Sequence, residues 1–272
     1  MEPRPSLDTL CAALADAMGA SAPACAAPAD TRLTDYVSSS FSGRKADRLF
    51  LFCPDAVAQW VWEKYPTLRV KAEQYTELSL PYRTVMPSVT PVCFGTFYTG
   101  AQPCVHGIES YAKPIITIDT LFDALIRAGK KVALIAQKDS SLSLIFGGRK
   151  MDYFIHPTLE EGCAKAAELI VQDSCDVIVL YDAEFDDIMH VYGPESPEAL
   201  AALHANSEVF AMLVRLIREK WKSHDTLVGF AMDHGCHEKP DGRGTHGKDL
   251  PEDLEILHRY VCIPGKPEEK AL

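Results

Sequence analysis

The chain has 272 residues, 47% of them hydrophobic and 24% charged, and a formal net charge of −11. That is ordinary globular usage, and it excludes a disordered chain, a collagen-like one and a disulfide-stapled mini-protein. The acidic balance argues against a nucleic-acid polymer or an anionic membrane as partner, but not against a phosphate substrate, because bound cations supply charge that no side-chain count includes.

At the amino end, Leu7, Leu10, Leu14 and Met18 recur at three- and four-residue intervals, which predicts an amphipathic helix rather than a signal peptide. The Ala- and Pro-rich stretch 20–31 reads as a linker or irregular wrap, so 1–45 is expected as an N-terminal helix and wrap, and 46–272 as the core domain. Short apolar runs then suit buried strands at Leu49–Cys53, Val132–Ala136, Val177–Tyr181 and Leu227–Met232. Stretches of helical period lie at Ala56–Tyr65, Ile118–Ala128, Leu159–Val171 and Pro197–Trp221. Strands alternating with helices predict an α/β fold, a three-layer αβα sandwich with a mostly parallel central sheet. No run of about 18 apolar residues is present, so no membrane span is expected. The nine cysteines are scattered and form no CxxC pair, which points to reduced thiols and a cytoplasmic location.

Parallel sheets of this kind place ligand chemistry outside the carboxyl ends of their strands. Here those ends carry Asp55, then Asp182 with Asp186 and His190, then Asp233 and His234. Oxygen and nitrogen donors in this mix suit zinc or manganese. A single Asp at a strand end is also what a turn requires, so the weight lies in the three together. Asp186 and His190 are four apart and share a helix face. His246 lies in Gly-Arg-Gly-Thr-His-Gly, a loop flexible enough to turn an imidazole toward the sheet edge.

Between these ends, Thr90-Pro91 reads as a helix start, with Thr90 as the cap, Pro91 first in the helix and Gly100 as the stop. The pattern suits a plain capping threonine. It also admits a hydroxyl held where a helix N-terminus attracts phosphate, though the pattern alone favours the cap.

The segment Met86–Ile108, with Thr90, Thr99-Gly100 and His106-Gly107-Ile108 in step, resembles the nucleophile segment P-x-x-T-x-P … T-G … P-x-x-H-G-I of the type I phosphodiesterase/nucleotide pyrophosphatase branch of the alkaline phosphatase superfamily. Val92 stands where that pattern has its proline. Asp186-x-x-x-His190-x-x-Gly193-Pro194 resembles D-x-x-G-H-x-x-G-P, with Met189 at the glycine. Asp233-His234-Gly235 and Gly244-Thr245-His246-Gly247 resemble the closing D-H-G-M … G-x-H-G. Asp55 fits the first metal aspartate. The resemblance runs from about Arg48 to Cys262.

The resemblance implies an alkaline phosphatase-like core and a two-metal phosphohydrolase. Asp186, His190 and His246 would hold one divalent ion, zinc or manganese. Asp55, Asp233 and His234 would hold the other, with Thr90 at or between them as nucleophile and metal contact. The substrate would be a small phosphate ester, either a phosphodiester or nucleotide pyrophosphate or a phosphomonoester, cleaved through a phospho-threonine intermediate. The branch's phosphate-steadying asparagine is missing after Ile108. Lys113 or Tyr111 would replace it, and His237 is a further candidate for lining the pocket. The interval from Thr90 to Asp186 leaves no room for the large cap domain of the phosphomutase relatives. The sulfatase signature C-x-P-x-R is absent. A phosphomutase or phosphotransferase, and a catalytically silent metal- or nucleotide-binding homologue, remain the alternatives. Oligomeric state is left open.

Overall fold

The computed structural model describes residues 4–266. Nine strands appear in chain order: β1 Arg48–Pro54, β2 Leu78–Arg83, β3 Val132–Gln137, β4 Asp152–His156, β5 Val177–Asp182, β6 Thr226–Phe230, β7 His237–Glu238, β8 Gly244–Thr245 and β9 Glu255–Ile263. Seven form one sheet in the order β2-β9-β6-β1-β5-β3-β4, while β7 and β8 pair as a separate antiparallel ribbon. Within the large sheet only β9 runs against its neighbours, pairing antiparallel with β2 and β6. The other pairings are parallel. β1 and β5 are buried almost end to end, which explains their continuous apolar runs.

The strongest helix contacts fall into two sets. Helices Thr9–Ala17, Thr90–Thr99, Leu121–Arg127 and Ser141–Ile145 touch one another. Helices Pro66–Gln74, Leu159–Gln172, Glu184–Tyr192 and Pro197–Lys220 form the other set. The architecture is the expected three-layer α/β sandwich, and the interval 100–176 is taken up by β3, β4 and their covering helices, with no large inserted cap.

Three local readings differ. The helix expected over Ala56–Tyr65 is shorter, Gln59–Lys64, and a further helix that was not expected, Pro66–Gln74, follows it, the two being separated because Pro66 supplies no N–H and restricts Tyr65 before it. A second amino-terminal helix, Thr31–Ser40, follows the irregular stretch; only Leu33 and Val37 on it are buried, too few to give a clear period. The Pro197–Lys220 helix is long and apolar enough, by length and composition, to cross a membrane, contrary to the expectation of no such run. Its apolar side instead covers the sheet, with Phe210 packed against Phe52 of β1 and Phe230 of β6 at centroid distances of 6.3 and 5.2 Å.

The sheet order puts β1 between β6 and β5. The three strands whose carboxyl ends lead into Asp233, Asp55 and Asp186 are therefore adjacent in space, although they span residues 48–230.

Candidate active site

Thr90 opens a helix whose ten residues are all buried, as its apolar composition requires. Its expected place as the cap is corrected: Val89 holds the extended cap dihedrals, and Thr90 is the first helical residue. The Thr90 hydroxyl is consequently free of capping and donates to Asp55, with Oγ1 3.1 Å from Oδ2 and 3.4 Å from His234 Nε2. Gly100 ends the helix in the left-handed region at φ 68°, the expected stop.

Two groups of ligand-type atoms gather here. Asp55, Asp233 and His234 are buried, and their donor atoms lie within 4.8 Å of one another. His234 Nε2 is 3.3 Å from Asp55 Oδ1 and 3.4 Å from Asp233 Oδ2. Asp186, His190 and His246 form the second group under the same limit of 4.8 Å. Asp186 Oδ1 lies 3.3 Å from His190 Nε2 and 3.4 Å from His246 Nε2. Asp186 and His190 share one face of the helix Glu184–Tyr192. Gly244 lets the loop before His246 press onto that helix, because a Cβ there would stand 2.3 Å from Met189 Sδ. Met189, which stands where the resembled pattern has glycine, is thus matched by a residue with no side chain.

The imidazoles are oriented alike. Nδ1 of His190, His246 and His234 lies 3.2, 2.9 and 2.9 Å from the carbonyls of Gly244, Ser88 and Gly235. Those bonds assign the proton to Nδ1 and leave the Nε2 lone pair aimed into the site, the arrangement of metal-binding histidines. His190 and His246 then present two lone pairs to each other at 3.1 Å. Asp186 Oδ1 and Asp233 Oδ2 are buried without a hydrogen-bond partner. Buried acceptors facing one another need positive charge between them. The donor set therefore fits two divalent cations, and both Asp/His groups are candidate metal sites.

The electrostatics agree. Burial, then the nearby Asp186 charge, pushes Asp55 up to about 7. Burial and Asp55 push Asp233 well above the ordinary carboxylate range. Burial holds His234 down at about 3, so its ring is neutral, as a metal ligand must be. Burial works upward on Asp186 as well, but His190 and His246 beside it hold its carboxyl below the usual range. Asp186 in turn raises both imidazoles. A divalent cation would supply the charge that protons otherwise bring.

Asp55, Thr90 and Asp186 line a cavity of about 320 Å³, together with Tyr111, Lys113 and Tyr181. Larger cavities of about 660 and 570 Å³ hold none of these Asp/His groups. Lys113 Nζ donates to the Asp139 carbonyl at 2.8 Å and lies 5.5 Å from the Tyr111 ring centroid. His237 is not brought into this cavity: its Nδ1 donates to Asp253 Oδ1 at 2.7 Å, and it lines a separate hollow with Trp60 and Glu252. His106 is structural. It accepts from the Ile108 N–H at Nδ1, lies 3.0 Å from Thr96 Oγ1 at Nε2, and packs where a Cβ on Gly95 would stand 2.8 Å away. Tyr181, which carried no expectation, donates its hydroxyl to Asp55.

Residues 134–261 match the family model described as type I phosphodiesterase / nucleotide pyrophosphatase. That span contains Asp186, His190, Asp233, His234 and His246, while Asp55 and Thr90 lie outside it. No curated protein sequence matches the chain. Among solved structures, human ectonucleotide pyrophosphatase/phosphodiesterase 5 is 16% identical, with a TM-score of 0.59 over 70% of this chain and 57% of its own. The inactive murine protein of that name, in complex with AMP, is 16% identical, with a TM-score of 0.56 over 71% of this chain and 58% of its own. Phosphonoacetate hydrolase from Sinorhizobium meliloti 1021, in complex with phosphonoformate, is 18% identical, with a TM-score of 0.56 over 75% and 61%. The chain spans less than two thirds of the length of each, and at these identities the likeness shows the alkaline phosphatase-like fold alone. Residues 134–261 of the chain are thus similar to the type I phosphodiesterase/nucleotide pyrophosphatase family, on an alkaline phosphatase-like fold.

Proposed function

We propose that the protein is a two-metal phosphohydrolase in which Thr90 is the nucleophile. The observation that carries this reading is the Thr90 hydroxyl lying against both Asp55 and His234, inside one candidate metal group. Asp55, Asp233 and His234 would hold one divalent ion, and Asp186, His190 and His246 the other. Zinc suits this set best, and manganese is also accommodated. Such ions, when bound, supply Lewis-acid charge to a phosphoryl oxygen and lower the pKa of water and hydroxyl groups.

The remaining steps use the chain's own atoms. Asp55 Oδ2, 3.1 Å from Thr90 Oγ1, accepts the threonine proton as the oxygen attacks phosphorus. The new P–O bond forms as the ester P–O bond breaks, and the alcohol departs with its electron pair and a proton from solvent. Water then attacks phosphorus, the P–O bond to Thr90 breaks, Thr90 Oγ1 takes back the proton held by Asp55, and the phosphate product leaves as the water's surplus proton passes to solvent. Tyr181 orients Asp55 through its hydroxyl, and burial of Asp55, Asp233 and His234 limits competition from bulk water at that group.

The cavity is small, near the low end of the roughly 300–1,000 Å³ of ligand pockets. Lys113 and Lys138 line it beside the carboxylates of Asp55, Asp139, Asp186 and Asp187 and bring positive charge to the same cavity. This supports a small, anionic phosphate ester, a class that includes nucleotides such as the AMP held by the murine relative. The test is release of phosphate or nitrophenol from p-nitrophenyl phosphate and bis-p-nitrophenyl phosphate by zinc- or manganese-loaded protein. Thr90→Ala is expected to lose roughly 10³- to 10⁶-fold in kcat while keeping its metal content. Unchanged turnover in that variant would remove Thr90 as nucleophile. Transfer of phosphate to an added alcohol without net release would favour a phosphotransferase.

A further inference from the structure

His237, which the active-site cavity leaves out, leads to a second feature. Its Nδ1–H donates to Asp253 Oδ1 at 2.7 Å. The other carboxylate oxygen of Asp253 accepts from the Lys248 N–H at 2.8 Å. The Asp253 carbonyl accepts from the Gly235 N–H at 2.8 Å. Asp253 itself is fully buried. These three bonds reach two loops. One runs from Asp233-His234 through Gly235 to His237; the other carries His246 and ends at Lys248. The loops continue into β7 and β8, whose only register pairs are His237 with Thr245 and Glu238 with Gly244. A two-pair ribbon is weak by itself. The contact is also close: a Cβ on Gly235 would stand 2.1 Å from the Glu252 carbonyl oxygen, so the first loop can lie here only because that residue is glycine.

We propose that Asp253 is a positioning residue that clasps the two ligand-bearing loops together and so sets the geometry of both candidate metal groups at once. The inference rests on the two-metal reading above. Asp233 and His234 belong to one group and His246 to the other, and Asp253 is bonded to the loops that carry all three. Removing the clasp therefore weakens both ions together, whereas a residue serving one group weakens one. Groups that orient metal ligands typically change metal affinity 10- to 100-fold when altered.

The experiment titrates zinc-free full-length protein with zinc in competition with a chromophoric chelator, resolving two dissociation constants, and measures Tm of the chelated protein in parallel. Asp253→Asn puts an amide N–H opposite a donor it now accepts from, and is expected to weaken both steps by about tenfold or more. If that variant fails to fold, the His237 pair decides. His237→Ala is expected to weaken both steps, and His237→Asn, whose Nδ2 stands where Nδ1 does, to restore them to within about twofold of wild type. Both affinities unchanged, only one step affected, or His237→Asn as weak as His237→Ala would overturn the clasp, even if the chelated proteins lose Tm. Wild-type protein that takes up no zinc would overturn the two-metal reading along with it, so the two failures are told apart.

Discussion

His190 and His246 aim their Nε2 atoms at each other across 3.1 Å, and each ring is fastened by Nδ1 to a backbone carbonyl on the far side. Neither ring can rotate to relieve this without breaking its anchor. The fold therefore holds two acceptors in opposition, with the unpartnered Asp186 Oδ1 beside them.

On the two-metal reading, that opposition would make the protein's stability depend on cations. Zinc bound to the folded state would stabilise it by about 2.7 kcal/mol per site at one hundred times the dissociation constant. Thermal unfolding followed with EDTA and with micromolar zinc is expected to show a higher Tm with zinc, and Asp186→Ala is expected to remove much of the difference. Equal Tm values in both conditions would contradict cation binding at these groups.

Tyr181 bears on Asp55 in a way that a conservative change isolates. Tyr181→Phe keeps the buried ring, which packs edge-on to Phe94 at 5.7 Å, and deletes the hydroxyl that Asp55 accepts from. The fold is expected to survive with a small change in Tm. Turnover is expected to fall about 10- to 100-fold, in line with the loss of an outer partner of a metal-site carboxylate. Steady-state kinetics beside a melting curve checks both halves.

The contrast between Tyr181 and its neighbour Asp182 shows what the sequence could and could not disclose. Successive strand residues point to opposite faces. Tyr181 meets Asp55, while Asp182 stays out of both groups and accepts from the Glu184 N–H at 2.9 Å. A run of acidic residues after an apolar strand locates the sheet edge but not which side chain faces the site. The ends of the four expected strands were legible, because buried parallel strands leave continuous apolar runs, whereas their order in the sheet comes from the structure alone. The first helical position of Thr90 was not: a Thr-Pro pair fits the cap and the first turn alike, and only the extended Val89 decides. Asp253 gave no signal, since its partners come from loops that meet only in the folded chain.

Lys113 offers a test of the cavity's positive lining. It donates to the Asp139 carbonyl and stands over the Tyr111 ring, so it is held in place rather than free in solvent. Lys113→Met is expected to raise KM for an anionic phosphate ester while leaving kcat within a few-fold, the pattern of a group that binds ground state and transition state alike. A fall in kcat at unchanged KM would instead place Lys113 on the reacting phosphoryl group.

Two buried groups that belong to neither Asp/His group predict opposite pH dependence over the same range. Burial holds His106 down at about 4 against an ordinary 6.5. A proton added at Nδ1 would face the Ile108 N–H, which already donates there. The contribution of His106 is therefore complete above pH 6.5 and is lost as pH falls toward 4, where the unfolded chain binds a proton that the folded one does not. Asp182 runs the other way. Burial raises it from 3.8 to about 7, so its folded form keeps a proton across that interval and stability declines as pH rises through it. A shift of this size corresponds to an upper bound of about 4 kcal/mol at high pH. Asp182→Asn retains the bond from Glu184 through its amide oxygen and removes the buried charge. In urea unfolding at pH 4, 5, 6 and 8, the Asn variant is expected to gain on wild type as pH rises. The advantage of wild type over His106→Asn is expected to shrink as pH falls. Parallel curves for either pair would mean that the residue titrates alike in the folded and unfolded chain.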